Sequence, residues 1–226
     1  MTLERRSPFQ IELDRVQETV LHMAGLAEDL VERSLQALRD RDIEAAKAVR
    51  KADDAIDALE VELDERVLAL LALQGPLAKD LRFVFAASKA ANDLERIGDH
   101  AVNIAKAVGR LSKHPPLPDV PQVWEMGILA QRMLASALTA LINRDAGAAE
   151  AVIEADERID DLRSATFRII VSYMLEQPRY ISPGLDLILI VQNLERVGDL
   201  ATNVAEDVVF LVEGKQVRHA RRGGSA

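Results

Sequence analysis

The 226-residue chain has no cysteine, which excludes disulfide scaffolds, thiolate-held zinc and cysteine nucleophiles. A bound metal would have to rely on carboxylate, amide, imidazole or backbone oxygen. Aromatic residues are scarce, at 4%, while Leu, Ala, Glu, Asp and Arg recur throughout. That mixture favours helices over sheets, so the expected fold class is all-α. Basic residues number 28 against 37 acidic ones, a formal charge of −9. Such a balance argues against a nucleic-acid-coating protein and against a basic helix lying on a membrane. No run approaches the roughly 18 apolar residues of a membrane span, and MTLERRSPFQIELDRV lacks the apolar stretch of a secretory signal. The expectation is a soluble, cytoplasmic protein. The 49% hydrophobic content suffices for one large core or two ordinary ones.

Prolines are few and grouped. Four of the eight lie in His114-Pro115-Pro116-Leu117-Pro118-Asp119-Val120-Pro121, a stiff connection near the midpoint. The expected division is residues 1–114, a linker at 115–121, a second unit at 122–214 and a basic, disordered tail at 215–226. Ser7-Pro8 opens a first helix, along which Phe9, Leu13, Val16, Val20, Met23, Ala27, Leu30, Ser34 and Leu38 recur at three- and four-residue steps, ending near Asp40. Asp42 caps a second helix through Leu73, and Gly75-Pro76 starts a third that reaches about Ser112. Three more are expected over about 120–143, 146–176 and 183–213, with Asp145 and Ser182-Pro183 as caps of the last two.

The two halves are related. Leu94–Ala105 reads LERIGDHAVNIA and Leu194–Ala205 reads LERVGDLATNVA, identical at eight of twelve positions at an offset of 100. A weaker match joins ADDAIDAL at 52–59 with ADERIDDL at 155–162, at an offset of 103. Both keep their order, so the chain reads as a duplicated three-helix unit.

Residues four apart share a helix face, which places Glu95, Asp99 and Asn103 on one stripe and Glu195, Asp199 and Asn203 on another. The second helix of each unit adds Asp53 with Asp57, and Asp156 with Asp160. Like charges at this spacing repel by roughly 0.2–0.5 kcal/mol per pair. Glu95 and Asp57 meet no Lys or Arg at the neighbouring three- and four-residue positions, whereas Arg96 and Arg196 stand three before Asp99 and Asp199. One acidic pair would be an ordinary solvated face, but its repetition in both halves points to ligands for hard cations such as Mg²⁺, Ca²⁺, Mn²⁺ or Fe³⁺. Gly98 and Gly198 occupy mid-helix positions that cost about 1 kcal/mol relative to Ala, which suggests close helix packing. No Glu-x-x-His pair, phosphate-cradling loop or nucleophile elbow is present, so a ferritin-like oxidase is excluded and no catalytic reaction is named. His100 adjoins Asp99, but its counterpart is Leu200, and a satisfied histidine is the expected reading.

DLERIGDHAVNIA at 93–105, NLERVGDLATNVAE at 193–206 and the Asp-x-x-x-Asp pairs resemble the PhoU family. The resemblance spans nearly the whole chain. It implies two tandem three-helix bundles packed side by side, with multinuclear iron or zinc clusters on Asp53, Asp57, Glu95, Asp99, Asp156, Asp160, Glu195 and Asp199. Leu200 and Glu157 depart from the family pattern, so unequal occupancy of the two halves is expected. The resemblance further implies a non-enzymatic, homodimeric adaptor between a phosphate ABC transporter ATPase and a sensor histidine kinase, meeting the membrane only through these partners and limiting phosphate uptake and the starvation response. The competing readings are a metal-dependent phosphohydrolase and a passive helical scaffold.

Overall fold

The computed structural model describes residues 7–215, and within them the regular structure is helical throughout. The expected basic tail from 216 onward lies outside the described residues. The helices are α1 (Pro8–Asp40), α2 (Ile43–Ala52), α3 (Asp54–Gln74), α4 (Ala78–Leu111), α5 (Pro121–Asn143), α6 (Ala146–Glu176) and α7 (Ile181–Glu213). Taking α2 and α3 as one interrupted helix, these are six helices in two three-helix bundles. The first bundle is α1, α2–α3 and α4, and the second is α5, α6 and α7. The bundles meet where α4 packs along α7, with α1 also touching α5.

Apolar periodicity accounts for the architecture. The α1 residues Leu13, Val16, Val20, Met23, Ala27, Leu30, Ser34 and Leu38 are all buried, with Phe9 packed at their edge. The largest fully enclosed side chains divide between the bundles: Met23, Leu30, Ile56, Leu63, Leu94, Ile97 and Ile104 in the first, Met126, Leu134, Ile159, Ile170 and Ile190 in the second. Helix α5 is long and apolar enough to span a bilayer, but Glu125, Gln131 and Arg132 interrupt it and its apolar face packs on α6 and α7.

Ser7, Asp42 and Asp145 cap their helices as expected, each side chain accepting from backbone N–H groups in the first turn. Arg41 and Arg144 close α1 and α5 in left-handed conformation at φ 52°, and the Arg41 guanidinium donates to the carbonyls of Leu111 and His114 at 2.6 and 2.9 Å. That contact ties the end of α4 and the start of the connection to the end of α1.

Three boundaries differ from expectation. Gly75 does not start a helix: at φ +51° it terminates α3, and α4 begins at Ala78 after Leu77. Ser182 is no cap, because the 3₁₀ turn Pro178–Tyr180 runs directly into α7 at Ile181. Pro183 then falls in the first turn, where a missing N–H costs no intrahelical bond. The second helix breaks at Asp53, whose carbonyl accepts from Ile56 N at 2.8 Å in a tightened i→i+3 turn. Pro121, which falls both in the linker at 115–121 and in the helix expected over about 120–143, is the first residue of α5.

Candidate functional site

In the first bundle, the α2–α3 break and the middle of α4 bring Asp53, Asp57, Glu95 and Asp99 into one electrostatic neighbourhood. Gly98 makes the approach possible. A Cβ there would stand 2.7 Å from Asp53 Oδ1 and 3.2 Å from Ile56 Cδ1. Asp53 Oδ1 itself is buried without a hydrogen-bond partner. Burial, then Asp57 and Asp99, push the Asp53 carboxyl up to about 6. Burial, then Asp99, Glu60, Asp57 and Asp53, push Glu95 up to about 7. Both shifts come first from burial and then from the neighbouring carboxylates.

Glu60 is a member that sequence reasoning missed. It stands on α3, adds negative charge beside Glu95, and accepts a long hydrogen bond from Asn92 Nδ2 at 3.4 Å. Asn103 extends the stripe, its amide oxygen 3.5 Å from Lys106 Nζ. Arg96 does not neutralise Asp99 as its spacing suggested, but turns back to Asp93 at 3.8 Å.

The second bundle holds the same carboxylates in different company. Gly198 again permits close approach, here against Ile159, whose Cδ1 would lie 2.8 Å from an added Cβ. Glu195 contacts both Arg163 and Arg196 at 3.6 Å, Asp160 lies 3.7 Å from Arg163, and Arg196 donates to Asp199 at 2.9 Å. Asp156 accepts from Thr202 Oγ1 at 3.1 Å. Burial and Asp199 raise the Glu195 pKa, and Arg196 and Arg163 oppose them. Asn203 is half-buried one turn beyond Asp199.

The decisive difference is one residue. At the offset of 103 that relates the acidic segments, Glu60 corresponds to Arg163. It lies one position past the matched octets, so the signal was available by extending the alignment. A fifth carboxylate therefore joins the first cluster, while a guanidinium sits in the second.

Among the described residues no three carboxylate or histidine side chains already converge as a mononuclear metal site. The first bundle nevertheless fits a hard cation in its chemistry: oxygen donors only, one orphaned buried oxygen, and charge that a cation would relieve. Asp53, Asp57, Glu95 and Asp99, with Glu60, are the residues that would hold it. In the second set Asp160, Glu195 and Asp199 already face arginine, and that set fits less well. His100 is not part of the cluster, since its Nδ1 pairs with Asn193 Oδ1 of α7 at 2.8 Å.

Comparison with known proteins gives a consistent result. The PhoU domain matches residues 20–108 and again 123–208. The chain is 39% identical over 209 residues to a phosphate-specific transport system accessory protein PhoU homolog from Xylella fastidiosa, covering 92% of this chain and 87% of that one. A homolog of the same name from Aquifex aeolicus is 36% identical over 208 residues, 92% of this chain and 94% of that one. The crystal structure of PhoU from Pseudomonas aeruginosa superposes with a TM-score of 0.89 at 38% identity, over 92% of this chain and 100% of that chain. That of the phosphate transport system regulatory protein PhoU from Streptococcus pneumoniae gives 0.86 at 33% identity, over 92% and 99%.

Proposed function

The chain belongs to the PhoU family, and on that footing we propose that it is an accessory protein of a phosphate-specific transport system which regulates phosphate uptake. The observation that carries this reading is the match to accessory proteins across both bundles, including the paired Glu-Arg-(Ile/Val)-Gly-Asp segments. In its finer form the proposal is a cytoplasmic, homodimeric adaptor that links the transporter ATPase to a sensor histidine kinase and holds the starvation response off when phosphate is plentiful. Exposed apolar side chains at the α3–α4 turn, such as Leu73 at 81% and Leu77 at 79% exposure, offer surface for such contacts. The protein acts by binding rather than by turnover. A cation held by the first-bundle carboxylates would neutralise them and cross-link α3 to α4, stiffening one face of the bundle.

The test is co-purification of the tagged protein with the transporter ATPase from phosphate-rich cells, paired with starvation-gene expression in a deletion strain. Association and constitutive expression are expected. Absence of both would overturn the reading, and phosphatase turnover abolished by Glu95→Gln would replace it with a hydrolase.

Unequal charge in the two bundles gives a second expectation. Arg163→Glu gives α6 the residue that α3 has at Glu60, removes the guanidinium from Glu195, and is expected to raise bound metal per chain. Elemental analysis of protein purified without chelators reads it. An unchanged metal content would argue against a cation site built from these carboxylates.

A further inference from the structure

We propose that α2 and α4 of the first bundle form an oxyanion-binding cleft built to hold a phosphate group. The cleft has a volume of about 440 Å³ and is lined by Lys47, Arg50 and Lys51 from α2, Lys106 from α4, and the carboxylates of Asp53 and Asp99. Four cations thus face two carboxylates, in a chain whose net charge is −9. Among the lining side chains themselves the balance is positive without any bound metal. A cation on Asp53 and Asp99 would add to it but is not required, so the inference stands apart from the metal reading.

The cations are largely uncommitted. Lys47 pairs with Glu44 at 2.7 Å, in a contact exposed to water on both sides, and Lys106 makes a long contact to Asn103 and acts on the Asp53 carboxylate through space, without an ion pair to it. Neither Arg50 nor Lys51 forms an ion pair among the described residues. Their crowding is costly to the fold, because Lys47 and Lys51 are four apart on one helix face and repel.

A simpler account is that Arg50 and Lys51 answer the dipole at the end of α2, where they occupy the last turn. It does not reach Lys47, nor Lys106 on another helix. The second bundle sharpens the point. Residues 45–52 read AAKAVRKA and residues 148–155 read AAEAVIEA, identical at five of eight positions. The three differences are the three cleft cations: Lys47 against Glu150, Arg50 against Ile153, Lys51 against Glu154. Lys106 stands against Glu206. Two helices have therefore diverged together at these four positions, and every change gives the first bundle the positive charge.

A phosphate group suits this lining. The Arg50 guanidinium offers a planar fork to two oxygens, and three ammonium groups supply donors for the others. Inorganic phosphate, a nucleotide and a lipid headgroup share that chemistry. Isothermal titration of the full-length protein at low salt with orthophosphate, with ATP, and with phosphatidylglycerol vesicles separates the three sources. At least one probe is expected to bind saturably, and Lys51→Glu with Lys106→Glu to weaken it tenfold or more. Arg50→Ile, the second-bundle residue, serves as an independent variant and is expected to weaken binding with an unchanged circular dichroism melting curve. Failure of all three probes to bind, or equal binding by the wild type and both variants, overturns the cleft. Metal content measured on the same samples keeps this outcome separate from the cation site.

Discussion

Lys89→Leu is expected to destabilise the protein by about 3 kcal/mol, read as a fall in the urea midpoint at unchanged slope. Lys89 of α4 forms an ion pair with Asp207 of α7 across the seam between the bundles. The Asp207 side chain is 3% exposed and that of Lys89 26%. Removing one partner of a buried pair leaves a charge in a medium that solvates it poorly, at a cost of about 3–5 kcal/mol. The lower end applies because Lys89 keeps some contact with water. The internal duplication supplies the control, since the corresponding residues at an offset of 100 are Leu189 and Ala107. Adding Asp207→Ala to Lys89→Leu removes the buried carboxylate as well and should recover most of the loss. A double variant as unstable as the single one would show that Lys89 acts through packing, including its position over the Phe85 ring at 5.5 Å, rather than through charge.

Glu95→Gln is expected to have opposite effects with and without metal. In metal-free protein the Glu95 carboxyl titrates near 7, against an ordinary value of 4.5. The folded state then binds the proton more tightly than the unfolded chain. Stability from this group is full below about 4.5, falls as pH rises towards about 7, and stays low above it. Asp53, raised to about 6 from 3.8, adds a loss of the same sign over its own window. Because Glu95 is only half-buried, solvent screening reduces the effect to about 1–2 kcal/mol. Metal-free Glu95→Gln should therefore be more stable than wild type at pH 8 by that amount, and nearly equal to it at pH 4. With a hard cation at 100 times its dissociation constant the wild type gains about 2.7 kcal/mol. The variant, lacking a ligand, gains little, so the order reverses. Thermal unfolding at both pH values, with and without Mn²⁺, checks both halves of the expectation. Destabilisation of the metal-free variant at pH 8 would show that Glu95 makes favourable contacts instead of enduring repulsion.

Much of this architecture is written in local pattern. The spacing of Leu13, Val16, Val20, Met23 and Leu30 marks α1, and the side-chain caps Asp42 and Asp145 mark the starts of α2 and α6. Where expectation failed, the deciding factor was backbone conformation that residue type underdetermines. Gly-Pro at 75–76 can open a helix or close the one before it, and the left-handed Gly75 closes α3. Ser182-Pro183 has the composition of a cap, yet a turn begun at Pro178 had already started the helix.

The candidate site divides in the same manner. Duplication alone picked out Asp53, Asp57, Glu95 and Asp99 with their counterparts, because repeated acidic pairs are costly to keep without a purpose. Arg96 and Arg196 looked equivalent from their spacing, yet one turns to Asp93 and the other to Asp199. Which carboxylates are neutralised depends on what the neighbouring helix presents. Glu60 and Arg163 matter only because α3 packs on α4, and α6 on α7, closely enough for one side chain to act on another.

By itself, then, the sequence determined the all-helical class, the duplication, the absence of thiol chemistry and the identity of the paired carboxylates. Each of these follows from periodicity, repetition or composition, which are properties of the chain read in order. Tertiary structure alone decided that the two acidic sets are unlike, one crowded and one paired with arginine. It also decided that four cations share a cleft and that Lys89 meets Asp207 across the seam. Charge interactions depend on distance and burial, and residues 118 apart in the chain acquire both only when the helices pack.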